Sequence, residues 1–108
     1  MKLSEKRCVS CEGDALAFGQ KDITKYLRQL NRGWRVIGGK KLTKEFRFKN
    51  FVQSMGFANQ VALIAQAEDH HPDIQISYSK VVIELWTHAI GGLSENDFIL
   101  AAKIDQLL

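Results

Sequence analysis

The sequence predicts an α+β fold: a four-stranded antiparallel sheet with helices packed on one face, in the order αββαββα. Short segments in which apolar and polar residues alternate occur as two pairs, and a turn signal joins the members of each pair. Stretches with apolar residues three and four positions apart lie before, between and after these pairs. Strands that alternate in this way bury only one side, so the helices are expected on that side.

The first half of this order is a short helix followed by a hairpin. Asp22 is predicted to cap the helix, whose apolar face consists of Ile23, Tyr26, Leu27 and Leu30. Residues 31–33 end it, residues 34–37 form a strand, and Gly38 with Gly39 is a hairpin-turn signal. The next strand alternates Leu42, Phe46 and Phe48 with Thr43, Glu45 and Arg47.

A long helix is predicted from Phe51 to about Asp69, with Asn50 as its N-cap. Its buried stripe is predicted to be Phe51, Met55, Ala58, Val61, Ala62 and Ala65. No charged residue occurs from Phe51 through Ala67, and Phe57 and Ile64 lie on the flank of that stripe. We therefore expect a second subunit to cover helix 51–69. The alternative is an exposed face that is merely neutral.

The second hairpin and the last helix follow. Ile74, Ile76 and Tyr78 alternate with Gln75 and Ser77. After a turn near Ser79 and Lys80, a strand runs to His88 with Val81, Ile83, Leu85 and Thr87 on one side and Val82, Glu84, Trp86 and His88 on the other. Ser94 to Asp97 reads as a capping box, with Leu93 and Phe98 as a hydrophobic staple. The last helix is predicted to bury Leu100, Ala101, Ile104, Leu107 and Leu108.

Composition indicates one globular domain, residues 21–108, after a loosely structured leader of residues 1–20. Charged residues make up 25% and hydrophobic residues 45% of the 108 positions, which are ordinary values for a globular protein. The net charge of +3 comes from scattered Lys and Arg, so no nucleic-acid partner is predicted. No apolar run approaches the ~20 residues of a membrane span, and no secretory signal is present. A cytoplasmic protein without membrane contact is expected.

Cys8 and Cys11 form a single Cys-x-x-Cys in the leader. A zinc ribbon would need a second pair, and a thioredoxin-like motif would need a strand–helix junction. Two reduced, unpaired thiols are therefore the favoured interpretation. A zinc site made of these cysteines and two histidines is the alternative.

All three histidines lie between Gln66 and Asp97. Because Pro72 cannot extend a helix, His70 and His71 are predicted at the helix C-terminus, whose dipole favours a cationic imidazole. His88 comes from a strand end and can approach a ligand from another side. Histidine is the side chain best suited to donate and accept protons near neutral pH, and such chemistry needs no metal or cofactor. Each histidine alone could equally be a surface residue or a helix cap.

Taken together, these residues resemble the pterin-4a-carbinolamine dehydratases. The resemblance rests on His70-His71-Pro72, the aromatic Tyr78, Thr87-His88, then Gly91-Gly92-Leu93-Ser94 and Asp97, in that order. It extends from about Asp22 to the C-terminus. One position departs, because the family commonly has an acid four residues before the first histidine, where this chain has Gln66, with Glu68 nearby.

The resemblance implies a hydro-lyase with the predicted α+β fold. It also implies a homodimer or homotetramer, in keeping with helix 51–69, which has no charged residue before Glu68. The enzyme would remove water from 4a-hydroxytetrahydrobiopterin to give quinonoid dihydropterin, in tetrahydropterin recycling for an aromatic amino acid hydroxylase. His70 and His88 would be the acid–base pair, with His71 mainly orienting the pterin, and Asp69 and Thr87 would contact its hydrogen-bonding edge.

Two further residues are weighed as substrate-binding. Trp86 either stacks on the pterin or is only a packed sheet residue. Asp97 either holds a site histidine or is only a capping residue. The resemblance also leaves a non-enzymatic alternative, since some family members stabilise dimers of a transcription factor, here through the uncharged helix.

Overall fold

A computed structural model of the chain describes residues 1–9 and 16–108. Its helices and strands are, in chain order, α1 (Gln20–Leu27), β1 (Arg35–Ile37), β2 (Lys41–Arg47), α2 (Phe51–Glu68), β3 (Asp73–Ser77), β4 (Lys80–Leu85) and α3 (Glu95–Asp105). Two single-turn 3-10 helices, Leu3–Glu5 and His88–Ile90, complete the regular structure of this part of the chain. The predicted α+β class and element order are confirmed. Within residues 1–9 and 16–108, no helix has the length and apolar character that crossing a bilayer requires.

The four strands form one antiparallel sheet in the order β1-β2-β4-β3. Gly38 and Gly39, with φ of 59° and 69°, make the tight turn between β1 and β2 at left-handed angles that favour glycine. Phe46 of β2 lies opposite Val81 of β4, so their side chains share the face that packs on the helices. Strand β4 lies between β2 and β3. The chain that follows it places residues 86–88 at the end of these strands.

Helix α2 is capped as predicted, because the Asn50 side chain accepts the Gln53 N–H at 2.9 Å. Its buried face differs from the predicted stripe. Phe57 is 4% exposed and contacts the rings of Phe46 and Phe48, so it belongs to the core and not to the flank. The predicted core positions Phe51, Met55 and Ala62 are instead exposed. The helix carries apolar residues on several sides, and periodicity alone cannot show which side meets the sheet.

Four element boundaries also differ from the predictions. Helix α1 begins at Gln20 with Gly19 as N-cap, so Asp22 lies in its first turn. Tyr78 lies in the turn after β3 and is exposed, and His88 begins a 3-10 turn where a strand was expected. Leu108 is 73% exposed, because α3 ends at Asp105 and its buried side ends with it.

The described part of the leader packs on α3. Leu3 is buried in the core, and the Lys103 ammonium donates to the Ser4 carbonyl at 2.9 Å. Further along, the Phe18 N–H donates to the Leu93 carbonyl at 2.8 Å. Gly92 fits tightly here, since a Cβ at that position would lie 2.8 Å from the Cβ of Ala17. The division into a leader and a domain at about residue 20 stays a prediction.

Candidate active site

His70 and Asp97 form a short contact at the site. The His70 Nε2 lies 2.6 Å from the Asp97 Oδ1, with side-chain exposures of 12% and 0%. An ionised carboxylate can only accept hydrogen bonds, so Nε2 carries the proton in this pair. His70 therefore keeps Nδ1 as the nitrogen that can exchange a proton with a ligand. A carboxylate this close also stabilises positive charge on the imidazole.

Asp97 is held in place from two other sides. Its Oδ2 accepts the Thr87 hydroxyl at 2.8 Å and the Ser94 N–H at 3.0 Å. The contact with Ser94 belongs to the capping box of α3, as predicted from the sequence. The two roles weighed for Asp97 thus coexist, because one carboxylate oxygen caps the helix while the other meets the histidine. The strand-end Thr87, the α3 N-terminus and His70 are joined through this buried group.

The turn that presents His70 begins with a left-handed residue. Asp69 has φ 53° and ψ 41°, so the chain leaves α2 sharply. The His70 N–H donates to the Ala65 carbonyl and the Asp69 N–H to the Gln66 carbonyl. These two bonds form a Schellman motif, in which glycine is the usual left-handed residue. The structure therefore accepts a conformational cost of about 1 kcal/mol at Asp69 and fixes the backbone of His70.

His71 follows on the exposed side of the same turn. Its Nε2 lies 3.1 Å from the Gln66 Oε1, one turn back on α2. Gln66 occupies the position where the family resemblance predicts an acid. An amide oxygen can accept the Nε2 proton as a carboxylate does, but it brings no charge. The contact thus orients His71 through a neutral partner.

His88 lines the same cavity as His70 and His71, from the 3-10 turn that follows β4. Its imidazole stacks on the Trp86 indole with the ring centroids 4.0 Å apart and the planes 24° from parallel. The Lys41 ammonium lies 5.3 Å from the centroid of the Trp86 ring. The Trp86 Nε1 is buried and meets no hydrogen-bond acceptor among residues 1–9 and 16–108. In contrast to His70, the exposed His88 is oriented by a ring stack.

These side chains line one cavity of about 400 Å³. Its walls comprise six of the seven residues predicted for the site, Asp69, His70, His71, Trp86, Thr87 and His88. The seventh, Asp97, does not line the cavity but contacts two residues that do, His70 and Thr87. Val9, Ala89 and Asn96 also line the cavity and were missed. Asn96 could have been suspected as the neighbour of Asp97, whereas nothing in the local sequence singles out Val9 or Ala89.

Cys8 directly precedes the cavity residue Val9. Its environment does not favour the thiolate that a nucleophile requires. Burial, and next the negative charge of Glu68, raise the pKa of its thiol to about 12. Cys11 lies outside the described residues, and so does the predicted zinc alternative that needs it. Within the described ranges, no three His, Cys, Asp or Glu residues are grouped so that they could hold a metal ion.

Comparison with known proteins gives a consistent family. The family model described as Pterin 4 alpha carbinolamine dehydratase matches residues 17–107. A protein of Nitrosospira multiformis, provisionally named pterin-4-alpha-carbinolamine dehydratase, is 55% identical over 105 residues, which is 97% of this chain and 91% of that protein. A Legionella pneumophila protein with the same provisional name is 47% identical over 107 residues, 98% of this chain and 95% of its own.

Two solved structures share the fold. The crystal structure of a transcriptional coactivator/pterin dehydratase from Brucella melitensis superimposes with a TM-score of 0.78 at 34% identity, covering 84% of this chain and 97% of that one. A pterin dehydratase-like protein identified as a RuBisCO assembly factor in the alpha-carboxysome gives a TM-score of 0.61 at 26% identity, covering 71% of this chain and 90% of that one. The fold thus occurs in proteins described as enzymes and in proteins described as assembly factors.

Proposed function

The chain belongs to the pterin-4-alpha-carbinolamine dehydratase family, and from this premise we propose that it dehydrates 4a-hydroxytetrahydropterins by histidine acid–base catalysis. The observation that carries the proposal is the single cavity lined by all three histidines. Its volume of about 400 Å³ lies within the range of roughly 300–1,000 Å³ that is typical of small-molecule pockets. A flat bicyclic pterin is a ligand of suitable size.

The reaction requires two proton transfers. The lone pair of the nitrogen beside C4a expels the hydroxyl, which must gain a proton as the C–O bond breaks. A ring proton must also be removed, so water and the quinonoid dihydropterin are the products. An acid and a base on different sides of the ring meet these demands.

We assign the acid to His70. The carboxylate of Asp97 at 2.6 Å stabilises an imidazolium, and so does the C-terminus of α2. Nδ1 of that imidazolium would give its proton to the leaving hydroxyl. His88, which lines the same cavity and has no carboxylate contact in the described structure, is the proposed base.

The remaining cavity residues are proposed to bind the pterin. His71 and Asp69 would contact its hydrogen-bonding edge, Thr87 would support that edge from the strand end, and Trp86 would act through its stack with His88. Asp97 would serve as the positioning residue for His70. Recycling of tetrahydropterin for an aromatic amino acid hydroxylase is the proposed context.

The test is catalysed decay of the carbinolamine above its spontaneous rate. A hydroxylase in excess generates the carbinolamine in the cuvette. The ultraviolet absorbance of the carbinolamine then reports its decay. His70→Ala and His88→Ala should each lower kcat by ~10²–10⁴ while the circular dichroism spectrum remains that of the wild type. Decay at the spontaneous rate with wild-type protein, or full turnover in both variants, would refute the proposal.

A homodimer or homotetramer through α2 is the second part of the proposal. Several of its exposed residues are large and apolar, with Val52 at 79% and Leu63 at 73% exposure. The exposed apolar side chains lie on a helix without a charged residue from 51 to 67, which is unusual for a surface in contact with water. The same face would serve a protein-binding role such as the assembly function described for the carboxysome relative.

Leu63→Glu tests the interface, with Gln20→Glu at the exposed start of α1 as the control that adds the same charge away from α2. Light scattering after gel filtration should show a dimer or tetramer for the wild type and a smaller species for Leu63→Glu. A monomeric wild type, or an unchanged mass for Leu63→Glu, would exclude this interface. Cytoplasmic location and the absence of nucleic-acid binding stay predictions.

A further inference from the structure

The N-terminal segment of residues 6–9 runs along the two helix ends that build the site. The Lys6 ammonium contacts the Glu95 carboxylate at 2.7 Å, and the segment reaches the cavity at Val9. Glu95 begins α3, and the C-terminus of α2 lies on the other side of the segment. Asp97 lies in the first turn of α3, and His70 follows the end of α2.

Glu68 of α2 anchors this segment from one side. Its side chain is only 8% exposed, and its Oε1 accepts the Cys8 N–H at 2.8 Å. The Arg7 guanidinium lies 3.3 Å and the Lys103 ammonium 3.7 Å from its Oε2. A carboxylate this deeply buried is costly unless it is paired, so the segment and Glu68 stabilise each other.

Asn96 of α3 anchors the segment from the other side. Its Oδ1 accepts the Val9 N–H at 3.0 Å, and its Nδ2 donates to the Val9 carbonyl. The amide thus pairs with both backbone groups of Val9, as a neighbouring strand would. Asn96 is 4% exposed and immediately precedes Asp97. The position of Val9 is therefore tied to the position of the His70–Asp97 pair.

Val9 is the apolar side chain that this arrangement presents to the cavity. Val9 is 71% exposed, so a ligand that enters the cavity can cover it. A purely structural tail needs no such placement, because the burial of Leu3 and the salt bridges of Lys6 and Glu68 would already attach it.

We propose that Val9 contacts the substrate and that Asn96 is its positioning residue, so that residues 6–9 form a wall of the pterin site. The inference rests on the proposed function and adds a ligand contact from the N-terminal segment. A wall of this kind limits which substituents on the pterin the cavity accepts.

Val9→Trp tests the contact, and Glu5→Trp is the matched control because Glu5 is an exposed residue of the preceding 3-10 helix and lies outside the cavity wall. KM for the carbinolamine should rise about tenfold in Val9→Trp, with an unchanged Tm, and remain at the wild-type value in Glu5→Trp. Calorimetric titration with 7,8-dihydrobiopterin should show the same shift in Kd. A KM and Kd within threefold of the Glu5→Trp values would overturn the contact.

Asn96→Leu tests the positioning role. It removes both hydrogen bonds to Val9 and leaves the His70–Asp97 contact, so KM should rise severalfold while kcat stays within about threefold of the wild type. In the double variant with Val9→Trp, the two effects on KM should be less than additive, because both act through one wall. A lower Tm with an unchanged KM, or full additivity, would overturn the positioning role.

The two proposals fail in different ways. Wild-type protein that turns over the carbinolamine, with Val9→Trp behaving as Glu5→Trp does, refutes the wall and leaves the dehydratase proposal standing. Wild-type protein that neither binds the dihydropterin nor accelerates the decay refutes both.

Discussion

The two sides of the cavity are built by different physical means. On one side His70 is nearly buried and shares a short contact with Asp97, which is itself held by Thr87 and Ser94. On the other side His88 lies exposed in a 3-10 turn and is oriented by its stack on Trp86. Charge-assisted hydrogen bonds fix both the angle and the tautomer of a ring, whereas a stack fixes its plane and allows it to turn. The first side is thus preorganised, and the second can adapt to the ligand.

The largest expected effect comes from breaking the preorganised side. Asp97→Asn keeps the shape of the side chain but replaces the carboxylate with an amide, which can no longer hold the His70 Nε2 proton as a charged acceptor. We expect kcat to fall by ~10²–10⁴, as for the loss of a positioned acid. Tm should fall as well, because the amide has one accepting oxygen where the carboxylate has two, so it cannot accept from His70 on one side and from Thr87 and Ser94 on the other.

The control for Asp97→Asn is Ser94→Ala. This variant keeps the backbone N–H that Asp97 accepts and removes only the hydroxyl, so its free energy of unfolding should fall by about 1 kcal/mol, the loss of a helix cap, with little change in kcat. Near-normal turnover in Asp97→Asn would mean that the histidine needs no carboxylate, and the contrast between the two sides would disappear.

The adaptable side should respond more weakly. Trp86→Leu removes the ring on which His88 stacks, and aromatic pairs contribute about 0.5–1.5 kcal/mol, so kcat/KM should fall about threefold to tenfold. Trp86→Phe should restore part of the loss. In combination with His88→Ala, Trp86→Leu should have almost no further effect on kcat/KM, because its partner is already absent. Additive losses would show that Trp86 acts on the substrate by itself.

The fold and the site were predictable from the sequence to different depths. Alternation in β4 correctly placed Val81, Ile83 and Leu85 in the core, because each strand position leaves only two choices of face. The buried face predicted for α2 was wrong at Phe57, because a helix with apolar residues on several sides can pack on a sheet in more than one rotation about its axis.

Within the site, local sequence identified the residues but not their partners. His70 and His71 were recognisable beside Pro72, yet the contact of His70 with Asp97 spans 27 positions and depends on how two helix ends meet. The contact between Val9 and Asn96 spans 87 positions and has no local signature. The sequence identifies Gln66 only as a departure from the family pattern, whereas the structure places it next to His71.

Substitutions of Asp69 distinguish the cost of its left-handed backbone from the effect of its charge on the preorganised side. Asp69→Gly should raise the free energy of unfolding by about 0.5–1 kcal/mol, because glycine adopts the left-handed angles of this C-cap without steric cost. Asp69→Ala should lower it by a similar amount, and Asp69→Asn should leave it nearly unchanged, since asparagine tolerates the same angles. Urea denaturation measures all three. Equal stabilities for the glycine and alanine variants would show that the turn carries no strain.

Substitution of Gln66 is expected to have the smallest effect on activity. The environment of its partner, His71, is intermediate between those of His70 and His88. His71 has a hydrogen-bonded partner, as His70 has, but the partner is neutral and both side chains are exposed to water. Net hydrogen bonds of this kind contribute about 0.5–1.5 kcal/mol, and water competes for exposed ones, so Gln66→Ala should raise KM about twofold to threefold with little change in kcat. Gln66→Glu should keep the wild-type KM within twofold, since a carboxylate accepts the same proton. A hundredfold loss of kcat in Gln66→Ala would instead make His71 part of the preorganised acid, and the division between a fixed side and an adaptable side would have to include it.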